Sequence, residues 1–255
     1  MKNPGPTSLE PNYGVDAPDV LRTLFAGGVI CMVIYFFLFE QGLIGGYRFS
    51  LGNFTITVAS IFLFTGIILL MEGCLYLFYV KRGKFMHRDA MLNMHRWRGD
   101  EHVLDVGCGR GLLLTGAAKR LTTGKATGID VWSQVDMGGN SSAATRKNLA
   151  LEGVADKCEL VTMPAEQMTF PDNSFDVVVS NLCLHNIKPR SLRLQACREI
   201  VRVLKPGGQA MISDFRATAD YVRVFREANC EVQKEWGNPL TTFPPLKTVI
   251  IRKPA

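Results

Sequence analysis

The chain has 255 residues, 47% of them hydrophobic, and its 29 Lys and Arg against 23 Asp and Glu give a net charge of +6. That length holds one large domain or a medium domain with an accessory segment, and the positive charge fits nucleic acid, anionic lipid or the flank of a membrane segment until its location decides. The seven cysteines form no C-x-x-C pair, which argues against a disulfide framework and against a metal site and points to reduced thiols.

Residues 1–20 carry four prolines and no apolar period, so they are expected to form a mobile tail. Two greasy runs follow within residues 21–80: "LFAGGVICMVIYFFLF", Leu24 to Phe39, and a longer stretch from Leu51 to Val80 whose one charge is Glu72. A helix needs about 20 mainly apolar residues to cross a bilayer, so the region reads as a two-helix transmembrane hairpin. A secretory signal, the competitor for the first run, lacks a strongly basic start and a cleavage pattern. Glu72 is either a functional intramembrane acid or an interfacial residue near the end of its span.

Residues 81–100 form a basic juxtamembrane linker or helix, with Lys81, Arg82, Lys84, Arg88, Arg96 and Arg98 against Asp89 and Asp100, whereas the short link "GGYRFS" bears Arg48 alone. The asymmetry predicts an integral membrane protein with both termini, and the domain beyond residue 100, facing the cytosol. The same charges serve as a topology signal or as a surface for anionic headgroups.

From Glu101 the pattern changes. "HVLDVG", "KATGIDV", "CELVTM", "FDVVVSNLCL" and "GGQAMISDF" read as strands, separated by the helical runs "GLLLTGAAKRL", "SSAATRKNLALEGV" and "SLRLQACREIVRVL". Continuous apolar strands alternating with helices predict a doubly wound α/β domain over 101–255, with a mostly parallel sheet covered on both faces. "EVQKEW" and "KTVIIRK" are expected to add an antiparallel closing pair, making seven strands.

Ligands of such sheets bind beyond the carboxyl ends of the strands, where "VLDVGCGRG" places Gly107, Gly109 and Gly111. A dinucleotide fingerprint would need its third glycine at Leu112, and no lysine follows at the Walker spacing. Phosphate cradling is disfavoured on both counts. The motif present is D-x-G-x-G-x-G, begun by Asp105 and followed by Asp130 at the end of the second strand.

With "FPDNSFDVVVSNLCLHNI" and "REIVRVLKPGGQAMISDF", this motif resembles the class I S-adenosylmethionine-dependent methyltransferases, closest to the small-molecule branch of quinone-biosynthesis and arsenite methyltransferases. The resemblance implies S-adenosyl-L-methionine as cofactor, a phosphate-free sulfonium whose site admits carboxylates. It places Asp105 near the cofactor's ammonium, Asp130 on the ribose hydroxyls, Val131 on the adenine, and Gly107, Cys108, Gly109 and Gly111 along the amino-acid portion, with Cys108 a small packing residue. Where the family commonly has an acidic residue before a small one, this chain has Pro164. The backbone amide of Ala165, or Glu166, is then the candidate adenine contact, Glu166 equally reading as a solvated helix-start residue. Residues 132–140 form an insertion beside the cofactor mouth, a lid or a surface loop, with Ser141 capping the next helix.

After the fourth strand, Asn181 and His185 fall at the site rim. His185 is the candidate general base or a packing residue, and Asp214 is a weaker candidate. The cysteines match no metalloid-binding pattern, which disfavours arsenite. The hairpin predicts two partners, a lipid bilayer and a lipophilic or membrane-associated methyl acceptor, and no aromatic-basic face marks a nucleic-acid partner. A membrane-tethered cofactor-binding scaffold or sensor without turnover is the alternative.

Overall fold

The computed structural model describes residues 10–15, 17–41, 48–51, 54–133, 139–239 and 241–255. The chain divides into a smaller compact unit, Ala17–Arg82, and a larger one that joins the segment before it to Gly83–Ala255.

In the smaller unit, α1 (Pro18–Glu40) and α2 (Val58–Phe78) are both long and apolar enough to cross a membrane. The helices pack closely because glycines face their contact: a Cβ on Gly28 would lie 2.8 Å from Leu70 Cγ, and one on Gly66 3.0 Å from Met32 Sδ. Small residues at such crossings let two backbones approach.

Two boundaries differ from the sequence reading. Helix α1 begins inside the stretch assigned to the tail, and residues 12–14 are hydrogen-bonded to the larger unit, so no free tail runs to residue 20. The second apolar run does not begin as helix. Strands β1 (Arg48–Leu51) and β2 (Phe54–Thr57) pair antiparallel, consistent with the strand preference of the β-branched run Thr55–Ile56–Thr57. Thr57 then caps α2, its side chain accepting the Ser60 N–H at 3.3 Å.

A π-helical turn, Tyr79–Gly83, leads into α3 (Lys84–Leu92). The basic linker expected over 81–100 is therefore largely helical, and from Gly83 it belongs to the larger unit. Met91 and Leu92 are fully buried in a cluster with Val103, Leu114 and Val177. Lys84 is only 5% exposed and does not serve a headgroup surface.

The larger unit continues as β3 (His102–Val106), α4 (Leu112–Ala118), β4 (Lys125–Asp130), α5 (Ser142–Leu151), β5 (Cys158–Thr162), β6 (Phe175–Asn181), α6 (Arg190–Val203), β7 (Leu204–Asp214), α7 (Thr218–Glu227), β8 (Glu231–Trp236) and β9 (Lys247–Arg252). Its seven-stranded sheet has the order β5-β4-β3-β6-β7-β9-β8. The first five strands run parallel and β9 runs antiparallel to both of its neighbours. Alternation along buried strands sends Val177 and Val179 to one face, with α3, α4 and α5, and Val178 to the other, with α6 and α7.

Chain order reverses between β3 and β6, which sets a crevice at their carboxyl ends. The sequence reading omitted α7, whose Tyr221, Val222, Val224 and Phe225 are buried.

Candidate functional site

The glycine turn leaves β3 at the crevice. Gly107 N and Cys108 N both donate to Ile129 O, at 2.8 and 3.0 Å, tying the turn to β4. Gly107, Gly109 and Gly111 have φ of 73°, 51° and 82°, a region that L side chains enter at a steric cost. Gly107 also needs the space: a Cβ there would lie 2.1 Å from Cys183 Sγ. Cys108 is buried, its thiol pushed well up by burial, and its Sγ sits 2.9 Å from where a Gly128 Cβ would stand. It packs and is not a thiolate nucleophile.

Asp105 lies within β3, 2% exposed. Burial pushes its carboxyl up to about 8, with a smaller rise from the nearby charge of Asp130 and a partial offset from a Leu114 backbone hydrogen bond. Its Oδ2 is buried and has no hydrogen-bond partner among the described residues. A cation beside such an acid would satisfy it and draw it into its ionised form.

Asp130, at the end of β4, is already oriented by donors. Its Oδ2 accepts Gly109 N–H at 2.8 Å, while Oδ1 accepts Trp132 N–H at 2.6 Å and the Asn140 side chain at 3.3 Å. A carboxylate fixed this way keeps lone pairs for a diol. Val131 beside it is 59% exposed, an apolar surface at the mouth. After β5, Ala165 is buried in the cluster of Ile129, Met163 and Met168, and Glu166 is half-buried in a turn closed by Gln167 N donating to Pro164 O at 3.2 Å. Residues 134–138 of the expected lid lie outside the described residues. Ser141 caps α5, accepting Ala144 N–H at 3.2 Å.

Across the crevice, the segment after β6 brings His185 to Asp214 at the end of β7, with Nδ1 and Oδ1 2.8 Å apart. Asp214 is fully buried and accepts hydrogen bonds from Phe215 N at 2.8 Å, His185 N at 3.2 Å and Tyr221 OH at 3.0 Å, while His185 Nδ1, close as it is, makes no hydrogen bond among the described residues. The burial, and next the charge of Asp214, hold the Tyr221 phenol far above its ordinary range, so it stays a donor. The ring of Phe215 meets His185 edge-on at 4.7 Å.

Sequence reasoning missed a second histidine. His87 of α3 is 4% exposed, its Nε2 2.8 Å from Ser213 Oγ, with Asn181 beside it. Burial pushes its imidazole down to about 4, so the ring is neutral near pH 7. Cys183 and Asn140 were missed as well. Nothing in their local pattern marks them: Cys183 matters through Gly107, 76 residues away, and Asn140 through a loop that folds back onto Asp130.

Residues 104–212 match the family model described as a methyltransferase domain. The demethylmenaquinone methyltransferase of Symbiobacterium thermophilum is 35% identical over 127 residues, 48% of this chain and 45% of that protein. The sterol 4-C-methyltransferase strm-1 of Caenorhabditis elegans is 31% identical over 120 residues, 47% of this chain and 33% of that protein. The chain thus spans less than half the length of these curated relatives. Among solved structures, a SAM dependent methyltransferase from Aquifex aeolicus superposes with a TM-score of 0.52 at 18% identity, covering 65% of this chain and 88% of that one, a likeness of fold alone.

Proposed function

We propose that the chain is a class I S-adenosylmethionine-dependent methyltransferase that methylates a lipophilic or membrane-associated small molecule, a reading supported by the methyltransferase-domain match over residues 104–212 and by the fold of the larger unit. The observation that carries this reading is the pair of acids at the glycine turn, Asp105 with a buried oxygen lacking a partner and Asp130 fixed by three donors. S-adenosylmethionine, when bound, supplies a methyl carbon on a positive sulfonium. Asp105 holds its ammonium, Asp130 accepts from the ribose hydroxyls, and the carboxylates favour a cation over a phosphate-bearing ligand.

His185 takes the proton that the acceptor loses. Asp214 stands 2.8 Å from Nδ1, where its charge stabilises the imidazolium that forms, and Nε2 is the accepting atom. Asn181 and His87 line the same end of β6 and β7 as neutral polar groups.

The membrane part of the reading is supported by α1 and α2, both long and apolar enough to span, and by the exposed Lys81 and Arg82 that follow α2, which favour a cytosolic side for the residues beyond them. Relatives named for a demethylated quinone and a sterol favour an acceptor of the same greasy class.

The test incubates detergent-solubilised protein with methyl-labelled cofactor and a total lipid extract. Label is expected in the lipid fraction and is lost in Asp130→Ala. Cofactor binding with no label in lipid, protein or small-molecule fractions would establish a scaffold or sensor instead.

A further inference from the structure

Residues 12–14, just before α1, are held on the larger unit by directed bonds. Asn12 N donates to Asn148 Oδ1 at 2.9 Å, and Asn148 Nδ2 returns a bond to Asn12 O at 3.0 Å. The same Nδ2 donates at 2.9 Å to Arg110 O, inside the glycine turn. Asn148 is 2% exposed, so one buried amide ties this strap and the turn together. Thr145, one turn earlier on α5, donates to Gly109 O at 2.7 Å. Helix α5 thus engages two consecutive carbonyls of the turn and leaves Gly109 N to Asp130.

The Arg110 side chain joins the strap to the far rim. Its Nη1 donates to Asn12 O at 3.3 Å and its Nη2 to Gly139 O at 3.2 Å. Gly14, with φ 69°, makes room for it, since a Cβ there would lie 3.2 Å from Arg110 Nε. Tyr13 is the anchor: 5% exposed, it donates to Glu152 Oε1 at 2.7 Å and meets Phe85 edge-on at 5.7 Å. The buried Lys84 ammonium donates to Tyr13 O at 3.1 Å and Gly14 O at 2.6 Å. A buried ammonium and a buried phenol are each costly without partners, so these bonds define one docked position.

We propose that residues 12–14 are a working part of the cofactor site, a strap that fixes Arg110 and through it the Gly109–Gly111 half of the glycine turn. The inference rests on the domain binding S-adenosylmethionine. Tyr13, Gly14 and Asn148 are positioning residues: they act through Arg110 and the turn.

The test is calorimetric binding of S-adenosylhomocysteine, the demethylated cofactor, to the full chain in detergent, with ligand-free thermal midpoints measured alongside. Gly14→Val, which drives Arg110 from its place, is expected to raise Kd about tenfold, and Tyr13→Phe, which loses one hydrogen bond, a few-fold. Tyr13→Phe is expected to melt within a few degrees of wild type, and Gly14→Val to lose only the several degrees that a left-handed valine costs. Kd values within twofold of wild type in both variants overturn the strap and leave the methyltransferase reading intact. A weaker Gly14→Val whose midpoint falls well beyond that strain cost, with Tyr13→Phe unchanged in Kd, overturns it too, by showing general destabilisation. A wild-type chain that binds no S-adenosylhomocysteine overturns both readings together.

Discussion

The Nδ1 of His185 lies 2.8 Å from Asp214 Oδ1, which pairs two residues that stand 29 positions apart, one in the segment after β6 and the other at the end of β7. A general base typically contributes about 10²- to 10⁴-fold. His185→Ala is expected to lower single-turnover methyl transfer by at least about 10²-fold while leaving cofactor binding near wild type. Asp214→Asn is expected to cost less, and the double variant no more than His185→Ala alone. Additive losses in that cycle would show two independent roles.

Gly107 and Cys183 make a second coupled pair. Gly107→Ala places a methyl group 2.1 Å from Cys183 Sγ at φ 73°, and the clash plus the backbone strain is expected to cost about 2 kcal/mol or more in urea unfolding. Adding Cys183→Gly removes the obstacle and is expected to recover the part of the loss due to the clash, leaving about 1–2 kcal/mol of strain. A double variant as unstable as Gly107→Ala would place the cost elsewhere.

The raised carboxyl of Asp105 gives cofactor binding a pH dependence. Between its ordinary value of 3.8 and about 8, the folded state holds a proton that the unfolded state has released, so this group lowers stability as pH rises through that window. An ammonium beside it favours the ionised form. Binding at pH 7 is therefore expected to release up to one proton, and affinity to tighten as pH approaches 8. Calorimetry in two buffers of different ionisation enthalpy counts the proton, and Asp105→Asn is expected to abolish its release.

His87 acts with the opposite sign. Its folded value of about 4 against 6.5 means that the unfolded chain takes up a proton first. Stability is complete above pH 6.5 and falls as pH drops toward 4, by roughly 3 kcal/mol at most. His87→Gln keeps a polar partner for Ser213 and is expected to flatten this acid limb in thermal midpoints measured from pH 7 to pH 4. An unchanged limb would assign the loss to other groups.

Much of the fold was legible because its determinants are local. The apolar runs of β3 and β6, the glycine spacing and the strand-end acid Asp130 each state their role within a few residues. Helix α7 was legible in principle, with Tyr221, Val222, Val224 and Phe225 on a helical period, but Ala217 in a left-handed conformation precedes it where a capping side chain would announce a helix. The β1–β2 pairing was hidden inside a run greasy enough to read as one helix. His87 sat unnoticed in a basic stretch because its partner Ser213 is 126 residues away. Docking of residues 12–14 uses mainly backbone carbonyls and amides, which carry no residue signature at all.

The placement of β9 has a consequence for the order of events during synthesis. Residues 247–252 insert between β7 and β8 and pair with both, so the sheet lacks an interior strand until residue 252 has left the ribosome. The apolar helices and α3 end at residue 92, about 160 residues earlier, or roughly 8–32 s of translation. The greasy segments therefore reach their surroundings while the domain behind them is still an incomplete sheet. A chain stopped before residue 247 would leave the apolar helices made and the domain unfinished, a species for quality control to remove.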